Sequence, residues 1–278
     1  MIVVTGATGN VGRELVQVLA SAGEKVTAIS RTPSPVPAGA RHLPADLTEP
    51  AGLREAFDGA GALFLHDTGA GHLLDPDAIL GMAEAGGVAR VVLLSSQGVA
   101  TRPESASHGA TMRAIEDAVR RSGLDWTILR PGGFASNAYA WAEPVRARRA
   151  VAAPFGDVGL PVVDPADIAE VAAAALTRDG HTGQVYELTG PALSTPRQRA
   201  EAIGDAIGEP VRFVEQTREE ARAQMLAFMP APVVETTLAI LGEPTPAERR
   251  ISPDVERVLG RAPRAFADWA ARNAAAFR

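Results

Sequence analysis

The sequence has no cysteine, and this absence excludes disulfides, thiol nucleophiles and zinc–thiolate sites. It also lacks a cluster of Lys and Arg, and its formal net charge is −6, whereas binding to a nucleic-acid backbone requires concentrated positive charge. No basic leader precedes the first β-branched run, and no apolar segment is long enough to span a membrane. These absences predict a cytoplasmic protein without nucleic-acid or membrane partners.

A glycine-rich turn follows the first predicted strand. The β-branched run Ile2–Val4 leads into Gly6, Gly9 and Gly12, and a helical pattern of apolar residues then continues to Gly23. Gly6 allows a sharp turn, Gly9 has no Cβ to block a phosphate, and Gly12 lets the helix lie close to the sheet. The N–H groups at the start of the helix would face the anion. Strand, turn and helix in this order predict a dinucleotide-binding site.

The end of the second predicted strand, residues 25–30, bears on the choice of cofactor. In dinucleotide-binding folds an acidic residue here holds the ribose 2′-OH of NAD, whereas an arginine nearby accommodates the 2′-phosphate of NADP. The next position holds Arg31, and no acid. The sequence therefore predicts NADP(H) in preference to NAD(H), with a solvated surface arginine as the alternative.

Predicted strands alternate with predicted helices through the first half of the chain. The strands are expected at 42–46, 60–65, 90–95 and 126–130, with helices between them that include one from Thr48 to about Phe57 and one from about Leu73 to Ala85. This alternation predicts an α/β fold with a Rossmann-type doubly wound parallel sheet. With 278 residues and 46% hydrophobic content, the chain can bury one large α/β domain together with a smaller lobe.

The predicted domain division falls after residue 155. Residues 1–155 form the NAD(P)-binding Rossmann domain. Residues 156–278 form a mixed part that returns to the sheet near 164–190 and then becomes a mainly helical substrate lobe. Several prolines break the chain between residues 230 and 253 into short pieces, and a last helix is expected over about 264–277.

The sequence resembles the NmrA-like branch of the atypical short-chain dehydrogenases/reductases. The resemblance is carried by Arg31, Ser95, Ser96, Glu116 and the segments 5–12 (TGATGNVG), 46–47 (DL), 122–131 (SGLDWTILRP), 163–169 (VDPADIA), 188–191 (LTGP) and 260–269 (GRAPRAFADW). It implies a Rossmann domain that binds NADP(H) or NAD(H), with a smaller C-terminal part around a small-molecule substrate. Members of this branch include quinone and azo-dye reductases, reductases of secondary metabolites and redox-sensing regulators.

The resemblance and the positions of the strand ends together indicate the cofactor contacts. In these sheets ligands bind beyond the carboxyl ends of the strands. The predicted cofactor-binding residues are Gly6, Thr8, Gly9, Asn10, Val11, Gly12, Arg31, Asp46, Leu47, Asp67, Thr68, Ser95, Pro131 and Phe134.

The tyrosine and lysine of active short-chain dehydrogenases are both missing. In that family the lysine lowers the tyrosine pKa and holds the ribose while the phenol exchanges a proton with the substrate. Alignment on Glu116 and Arg130 places His108 at the tyrosine position and Met112 at the lysine position. His108 is either a replacement acid, since histidine titrates near neutral pH, or the polar first residue of a helix.

Two further side chains are candidate catalytic groups. Ser96 matches the family serine that polarises a substrate carbonyl, and its alternative role is to end a buried strand by bonding to the backbone. Tyr139 follows the turn that should face the nicotinamide and is an alternative proton donor. Its other role is aromatic packing beside Trp141.

No metal site is predicted. His66 and His72 flank a short loop, but their spacing fits no ligand pair, so this segment is interpreted as a loop on the cofactor side. Asp164 and Asp167 open an alanine-rich helix, where capping and the helix dipole explain them.

The predicted function is NAD(P)H-dependent reduction of a small conjugated acceptor such as a quinone, an enone or an aromatic polyketide-like metabolite. Such acceptors form a stabilised anion when hydride is added, so a weak proton donor suffices. A non-catalytic NADP(H) sensor or partner-binding regulator is the alternative, and a non-redox role in secondary metabolism is a further one. The sequence leaves the oligomeric state open between monomer and homodimer.

Overall fold

The computed structural model describes residues 1–67, 73–105 and 109–278. Seven strands form one parallel sheet in the order β3-β2-β1-β4-β5-β6-β8, and two more form a small parallel sheet, β7-β9. The order reverses direction at β1, which confirms the doubly wound Rossmann-type fold. The strands are β1 (Ile2–Val4), β2 (Val26–Ser30), β3 (Ala40–Pro44), β4 (Ala62–His66), β5 (Arg90–Leu94), β6 (Asp125–Pro131), β7 (Ala150–Pro154), β8 (Gln184–Leu188) and β9 (Arg212–Gln216).

Helices cover both faces of the large sheet. Neighbouring strand residues face opposite sides, so Val4 packs against α1 and α7, while Val3 packs in the cluster that contains α2, α3 and α5. The α-helices are α1 (Asn10–Ser21), α2 (Arg54–Phe57), α3 (Pro76–Ala85), α4 (Gly98–Thr101), α5 (Thr111–Arg121), α6 (Ala142–Arg148), α7 (Pro165–Thr177), α8 (Pro196–Ile207), α9 (Arg218–Met225), α10 (Ala231–Gly242), α11 (Asp254–Leu259) and α12 (Phe266–Arg272). Within the described part of the chain, no helix is both long and apolar enough to cross a bilayer.

Several predicted element bounds are wrong. The third strand ends at Pro44 rather than Asp46, and the helix expected to follow Thr48 is a 3-10 turn at Pro50–Leu53 joined to the single turn α2. The helix expected from Leu73 begins at Pro76, because Asp75 caps it by accepting a hydrogen bond from the backbone N–H of Ala78 at 2.9 Å. The last helix was expected over 264–277; α12 ends at Arg272, and a 3-10 turn follows.

Strand β7 and the helices α6, α10 and α11 were not predicted. Strand β7 pairs with β9, so residues on both sides of position 155 contribute to the small sheet, and the division of the chain at that position stays a proposal. The proline-broken region contains the twelve-residue helix α10. Pro230 and Pro232 lie at its start, where a missing backbone N–H does not interrupt helical hydrogen bonding.

Buried ion pairs fasten the C-terminal segment to α7. Asp167 is fully buried and accepts hydrogen bonds from the Arg261 side chain at 2.8 Å and from the backbone N–H of Arg264 at 2.7 Å. Asp164 accepts from the backbone N–H of Ala166 at 2.9 Å, which confirms its capping role. For Asp167 the capping interpretation was incomplete, because its carboxylate holds the two arginines.

Candidate active site

The glycine turn between β1 and α1 has the shape that a pyrophosphate requires. Gly6 has a positive φ of 62°, which favours glycine. A Cβ added to Gly12 would lie 2.2 Å from the carbonyl oxygen of Gly6, so any side chain there would displace the backbone. Thr8 and Asn10 are exposed at the turn, whereas the Val11 side chain packs into the core. The first N–H groups of α1 have no partners within the helix, and such groups at a helix start suit an anion.

His66 ends β4 beside this turn. Its backbone N–H donates to Thr5 Oγ1 at 2.8 Å, and that hydroxyl donates to the Phe64 carbonyl at 3.0 Å. Its Nδ1 is buried and has no hydrogen-bond partner within the described part of the chain. Burial lowers the pKa of His66, which favours the neutral ring. A buried polar atom without a partner is costly, so Nδ1 marks a position that a polar ligand fits.

Arg31 and Asp46 lie at the neighbouring strand ends. Arg31 is exposed and forms no ion pair with any residue that the structure describes. Asp46 Oδ1 accepts hydrogen bonds from the backbone N–H and the hydroxyl of Thr48, both at 2.9 Å. These bonds lower the pKa of Asp46, and the positive charge of Arg31 lowers it further. The Asp46 carboxylate is thus bound to its own loop, and the Leu47 side chain is buried beside it.

Ser95 takes part in a buried charge network. Its hydroxyl donates to Glu116 at 2.6 Å, and Glu116 also accepts from Arg130 at 2.8 and 2.6 Å and from Arg120 at 2.9 Å. Burial alone would raise the pKa of Glu116, but the hydrogen bonds from Arg130 and Ser95 outweigh it and hold the pKa below its usual value. The network joins β5, α5 and β6. A direct contact between Ser95 and the cofactor stays a prediction.

Ser96 lies just beyond the carboxyl end of β5. Its Oγ accepts a hydrogen bond from the backbone N–H of Gly98 at 3.1 Å, so the backbone-bonding role considered from the sequence is present. The hydroxyl proton has no acceptor among the described residues. Because a hydroxyl accepts and donates at once, Ser96 can hold the backbone and still donate to a substrate oxygen.

The segment after β6 joins the cofactor turn to the C-terminal lobe. Pro131 ends β6 and is buried, and Phe134 forms an isolated parallel bridge with Val163. A 3-10 helix, Ala135–Trp141, follows. Asn10 Nδ2 donates to the hydroxyl of Ser136 in this helix at 3.1 Å. A contact of Pro131 and Phe134 with the nicotinamide stays a prediction.

Tyr139 faces the interior of the C-terminal lobe. Its hydroxyl donates to Asn273 Oδ1, and its ring contacts Trp269 edge-on at 5.0 Å between centroids and stacks on Phe277 at 6.3 Å. Burial raises the pKa of Tyr139, which keeps the phenol protonated. The aromatic packing role considered from the sequence is thus present, with Trp269 and Phe277 as the ring partners. A proton-donor role for Tyr139 stays a prediction.

No lysine lies at the carboxyl edge of the sheet. Lys25, the only lysine in the sequence, precedes β2 at the opposite edge. Met112 is half-buried and packs against the hydrophobic cluster that contains Leu93 and Ile115. A thioether in this position cannot hold a ribose as an ammonium does.

Two predicted site residues, His108 and Thr68, lie outside the described residues, and so does His72. Asp67, next to Thr68, is half-buried at the end of β4. Across residues 1–67, 73–105 and 109–278, no three His, Asp or Glu side chains are grouped as metal ligands. The chemistry available in the described part of the site is therefore anion binding by backbone N–H groups and hydrogen bonding by Ser96 and His66.

This geometry fits a dinucleotide. The glycine turn provides the phosphate cradle at the strand-order reversal, and the unpartnered His66 Nδ1 lies beside it. A family model described as NAD(P)H-binding matches residues 6–179. The site and the family model together define an NAD(P)H-binding protein.

Relatives match the chain from end to end. The chain is 37% identical to a (4-alkanoyl-5-oxo-2,5-dihydrofuran-3-yl)methyl phosphate reductase of Streptomyces griseus, covering 100% of this chain and 99% of the relative. It is 31% identical to an NAD(P)H azoreductase of Xenophilus azovorans, with 100% and 99% covered. The fold resembles that of an Escherichia coli NADPH-dependent quinone oxidoreductase complexed with NADPH, at a TM-score of 0.77 and 22% identity, with 98% and 99% covered.

The chain belongs to the NAD(P)H-binding family, and the expected resemblance to NAD(P)H-dependent reductases is confirmed. It shares its fold with NmrA, a negative transcriptional regulator, at a TM-score of 0.73 and 18% identity, with 97% of this chain and 94% of that chain covered. The expected enzyme class, an NAD(P)H-dependent oxidoreductase, is confirmed as well.

Proposed function

We propose that this chain is an NADPH-dependent reductase that transfers hydride directly to a small conjugated acceptor, such as a quinone, an enone or an aromatic polyketide-like metabolite. One observation carries the proposal. The phosphate cradle is intact, while Lys25, the only lysine, lies at the opposite edge of the sheet. The site is thus equipped to bind the cofactor but not to run the usual tyrosine–lysine proton relay.

The chemistry of the acceptor explains how such a site can work. Hydride added to a quinone or an enone produces a delocalised anion, so protonation by water or by a weak donor is sufficient. The protein must then mainly position the acceptor against the cofactor and exclude competing geometries. Ser96 can donate its proton to the acceptor carbonyl and stabilise the charge that develops there. Reductases of a furanone phosphate and of azo compounds among the relatives support an unsaturated acceptor.

The preference for NADPH over NADH is part of the proposal and rests on Arg31. Its side chain is exposed just after β2 and forms no ion pair within the described structure, although its charge acts on the nearby Asp46. An arginine–phosphate contact contributes about 1.5–3 kcal/mol. We expect Arg31→Ala to weaken NADPH binding about tenfold or more and to leave NADH binding nearly unchanged. Arg178→Ala, an exposed arginine beyond the end of α7, is the control, and equal losses for both cofactors would refute the phosphate contact.

The proposed function is tested by the loss of NADPH absorbance with a panel of quinones, cyclic enones and aromatic ketones. Cofactor fluorescence is recorded in parallel, so that binding and turnover are separated. Turnover that disappears in the Gly12→Ala variant supports the proposal. Tight NADPH binding without turnover across the whole panel would instead favour a cofactor-sensing protein.

A further inference from the structure

Helix α8 buries an arginine that has no carboxylate partner. Arg199 is 9% exposed and forms no ion pair with any described residue. Burial lowers its pKa to about 10. Arg197, two positions earlier, is 42% exposed in its side chain and pairs with Asp157 and Glu215. A buried charge is normally paired, so an unpaired one in this position calls for a partner from outside the chain.

The few contacts of Arg199 leave most of its guanidinium unused. Its Nε donates a long hydrogen bond of 3.4 Å to the backbone carbonyl of Thr195, and its Cζ lies 5.8 Å from the centre of the Trp141 ring. The two terminal nitrogens donate no hydrogen bond within the described structure. The cation is therefore held in place by an aromatic ring and a carbonyl, while the edge of the guanidinium that suits an oxyanion is unoccupied by protein.

Arg199 borders a cavity of about 200 Å³ between α8 and the start of α12. Gln198 and Ser194 add an amide and a hydroxyl to the lining, and Val162 and Phe266 add apolar walls. The Gln198 carbonyl oxygen already accepts from the backbone N–H of Thr195 at 3.0 Å, so its NH₂ group is the part left for a ligand. No acidic residue is among the described residues that line the cavity. A positively charged guanidinium and an amide donor between apolar walls suit a small organic anion.

The cavity adjoins the predicted nicotinamide side of the cleft. Val162 lines it, and the next residue, Val163, donates its backbone N–H to the Gly133 carbonyl at 2.8 Å. Gly133 belongs to the turn after β6, which precedes Phe134 and the 3-10 helix that carries Trp141. The wall of the cavity is thus continuous with the turn at which the acceptor would be reduced.

We propose that Arg199 binds the acidic group, a phosphate monoester or a carboxylate, of the organic acceptor, with Gln198 as a second donor. The inference rests on the proposed function, since it assigns the anion to the reduced compound. It makes the charge of the acceptor, in addition to its conjugation, a determinant of specificity. The expected contact is a bidentate pair between guanidinium and oxyanion, which lysine reproduces only in part.

Binding is measured first, without turnover. Protein saturated with NADPH, so that the cofactor phosphates fill their own sites, is titrated by calorimetry with phenyl phosphate, benzoate, inorganic phosphate and neutral benzyl alcohol. We expect at least one of the two aromatic anions to bind, benzyl alcohol to bind at least tenfold more weakly, and Arg199→Gln to weaken anion binding at least tenfold. Arg197→Gln is the matched control and should bind like the unmodified protein.

The conservative variant separates loss of charge from loss of packing. Arg199→Lys should retain part of the anion affinity, and the melting temperature of each variant with NADPH shows that it is folded. Anion affinity that is equal in Arg199→Gln and the unmodified protein would overturn the proposal, as would no binding of either aromatic anion. Inorganic phosphate that binds as tightly as phenyl phosphate would also overturn it, because the site would then recognise a free ion rather than an organic acceptor.

Enzyme turnover provides a second test of the role of Arg199. With 1,4-naphthoquinone and its 2-sulfonate as paired acceptors, Arg199→Gln should lower kcat/KM at least tenfold for the sulfonate and less than threefold for the neutral quinone. Equal losses for both acceptors would contradict a role in charge recognition. If neither quinone is reduced, the proposed function is at fault, and the calorimetric result still decides whether Arg199 is an anion site.

Discussion

The two sides of the proposed cleft are built in different ways. On the cofactor side, the decisive contacts are between backbone atoms within a single turn, as in the close approach of Gly12 to the Gly6 carbonyl. On the lobe side, contacts join distant parts of the chain: Tyr139 to Asn273 across 134 residues and Asp167 to Arg264 across 97. A local cradle for a common cofactor is thus combined with a lobe whose shape depends on many side chains.

The largest effect on the free energy of unfolding should come from removing the buried negative charge of Asp167, which links the C-terminal segment to α7. Asp167→Asn leaves Arg261 and Arg264 with one buried carboxylate fewer, and breaking a buried ion pair costs about 3–5 kcal/mol. We expect a loss of this size in urea unfolding, with faster hydrogen exchange in α12. NADPH affinity of the folded fraction should change less than about threefold, because the cradle is local.

The control for Asp167→Asn is Asp117→Asn, which removes an exposed carboxylate that pairs with Arg120 at 3.5 Å on the surface of α5. Surface pairs contribute about 0–1 kcal/mol, so this variant should be nearly as stable as the unmodified protein. Similar losses in the two variants would show that the buried pairs do not hold the lobe.

The corresponding substitution on the cofactor side is Gly12→Ala. The added Cβ would lie 2.2 Å from the Gly6 carbonyl oxygen and 2.8 Å from Ala7 Cα, so the turn must move. We expect NADPH affinity to fall at least about tenfold and stability to fall by about 1–3 kcal/mol, as for other overpacked sites. Gly81→Ala in α3, where a Cβ would meet nothing within 4 Å, is the control and should bind NADPH normally. Normal binding by Gly12→Ala would contradict the role of the cradle.

A smaller effect is expected from Ser96→Ala. If its proton stabilises charge on the acceptor carbonyl, loss of one hydrogen bond of about 1–1.5 kcal/mol should reduce kcat about tenfold with little change in NADPH affinity. Steady-state rates with a quinone and with a cyclic enone provide the measurement. A change confined to KM would indicate that Ser96 only shapes the loop through Gly98.

The smallest effect on turnover should come from Tyr139→Phe. The phenol is engaged by Asn273 and lies among aromatic rings of the lobe, so its removal should cost about 0.5–1.5 kcal/mol of stability and change kcat less than about threefold. Chemical unfolding and the same quinone assay measure both quantities. A loss of kcat larger than that of Ser96→Ala would identify Tyr139 as the proton donor. It would also show that Tyr139 contributes more to turnover than Ser96 does.

The difference between the local contacts of the cofactor side and the long-range contacts of the lobe also explains what the sequence could predict. The glycine turn, the parallel sheet and the positions of Arg31 and Ser96 follow from local patterns, because turn geometry and strand periodicity are local properties. Strand β7 and the ion pairs of Asp167 were missed, since both depend on partners more than fifty residues away.

Two further misses have other physical reasons. Helix α10 was missed because its prolines were interpreted as breaks rather than as a helix start. The unpaired state of Arg199 has no signal in the sequence at all, since it depends on burial and on the absence of a nearby carboxylate within the described lobe.

The central claim is direct hydride transfer from NADPH without a tyrosine–lysine relay. The most direct measurement uses NADPH deuterated at both C4 positions and a cyclic enone, with mass spectrometry and NMR of the reduced product. We predict one deuterium on the β-carbon and a solvent-derived hydrogen on the α-carbon. NADPH oxidation without deuterium on carbon, or no oxidation above the rate without protein, would contradict the claim.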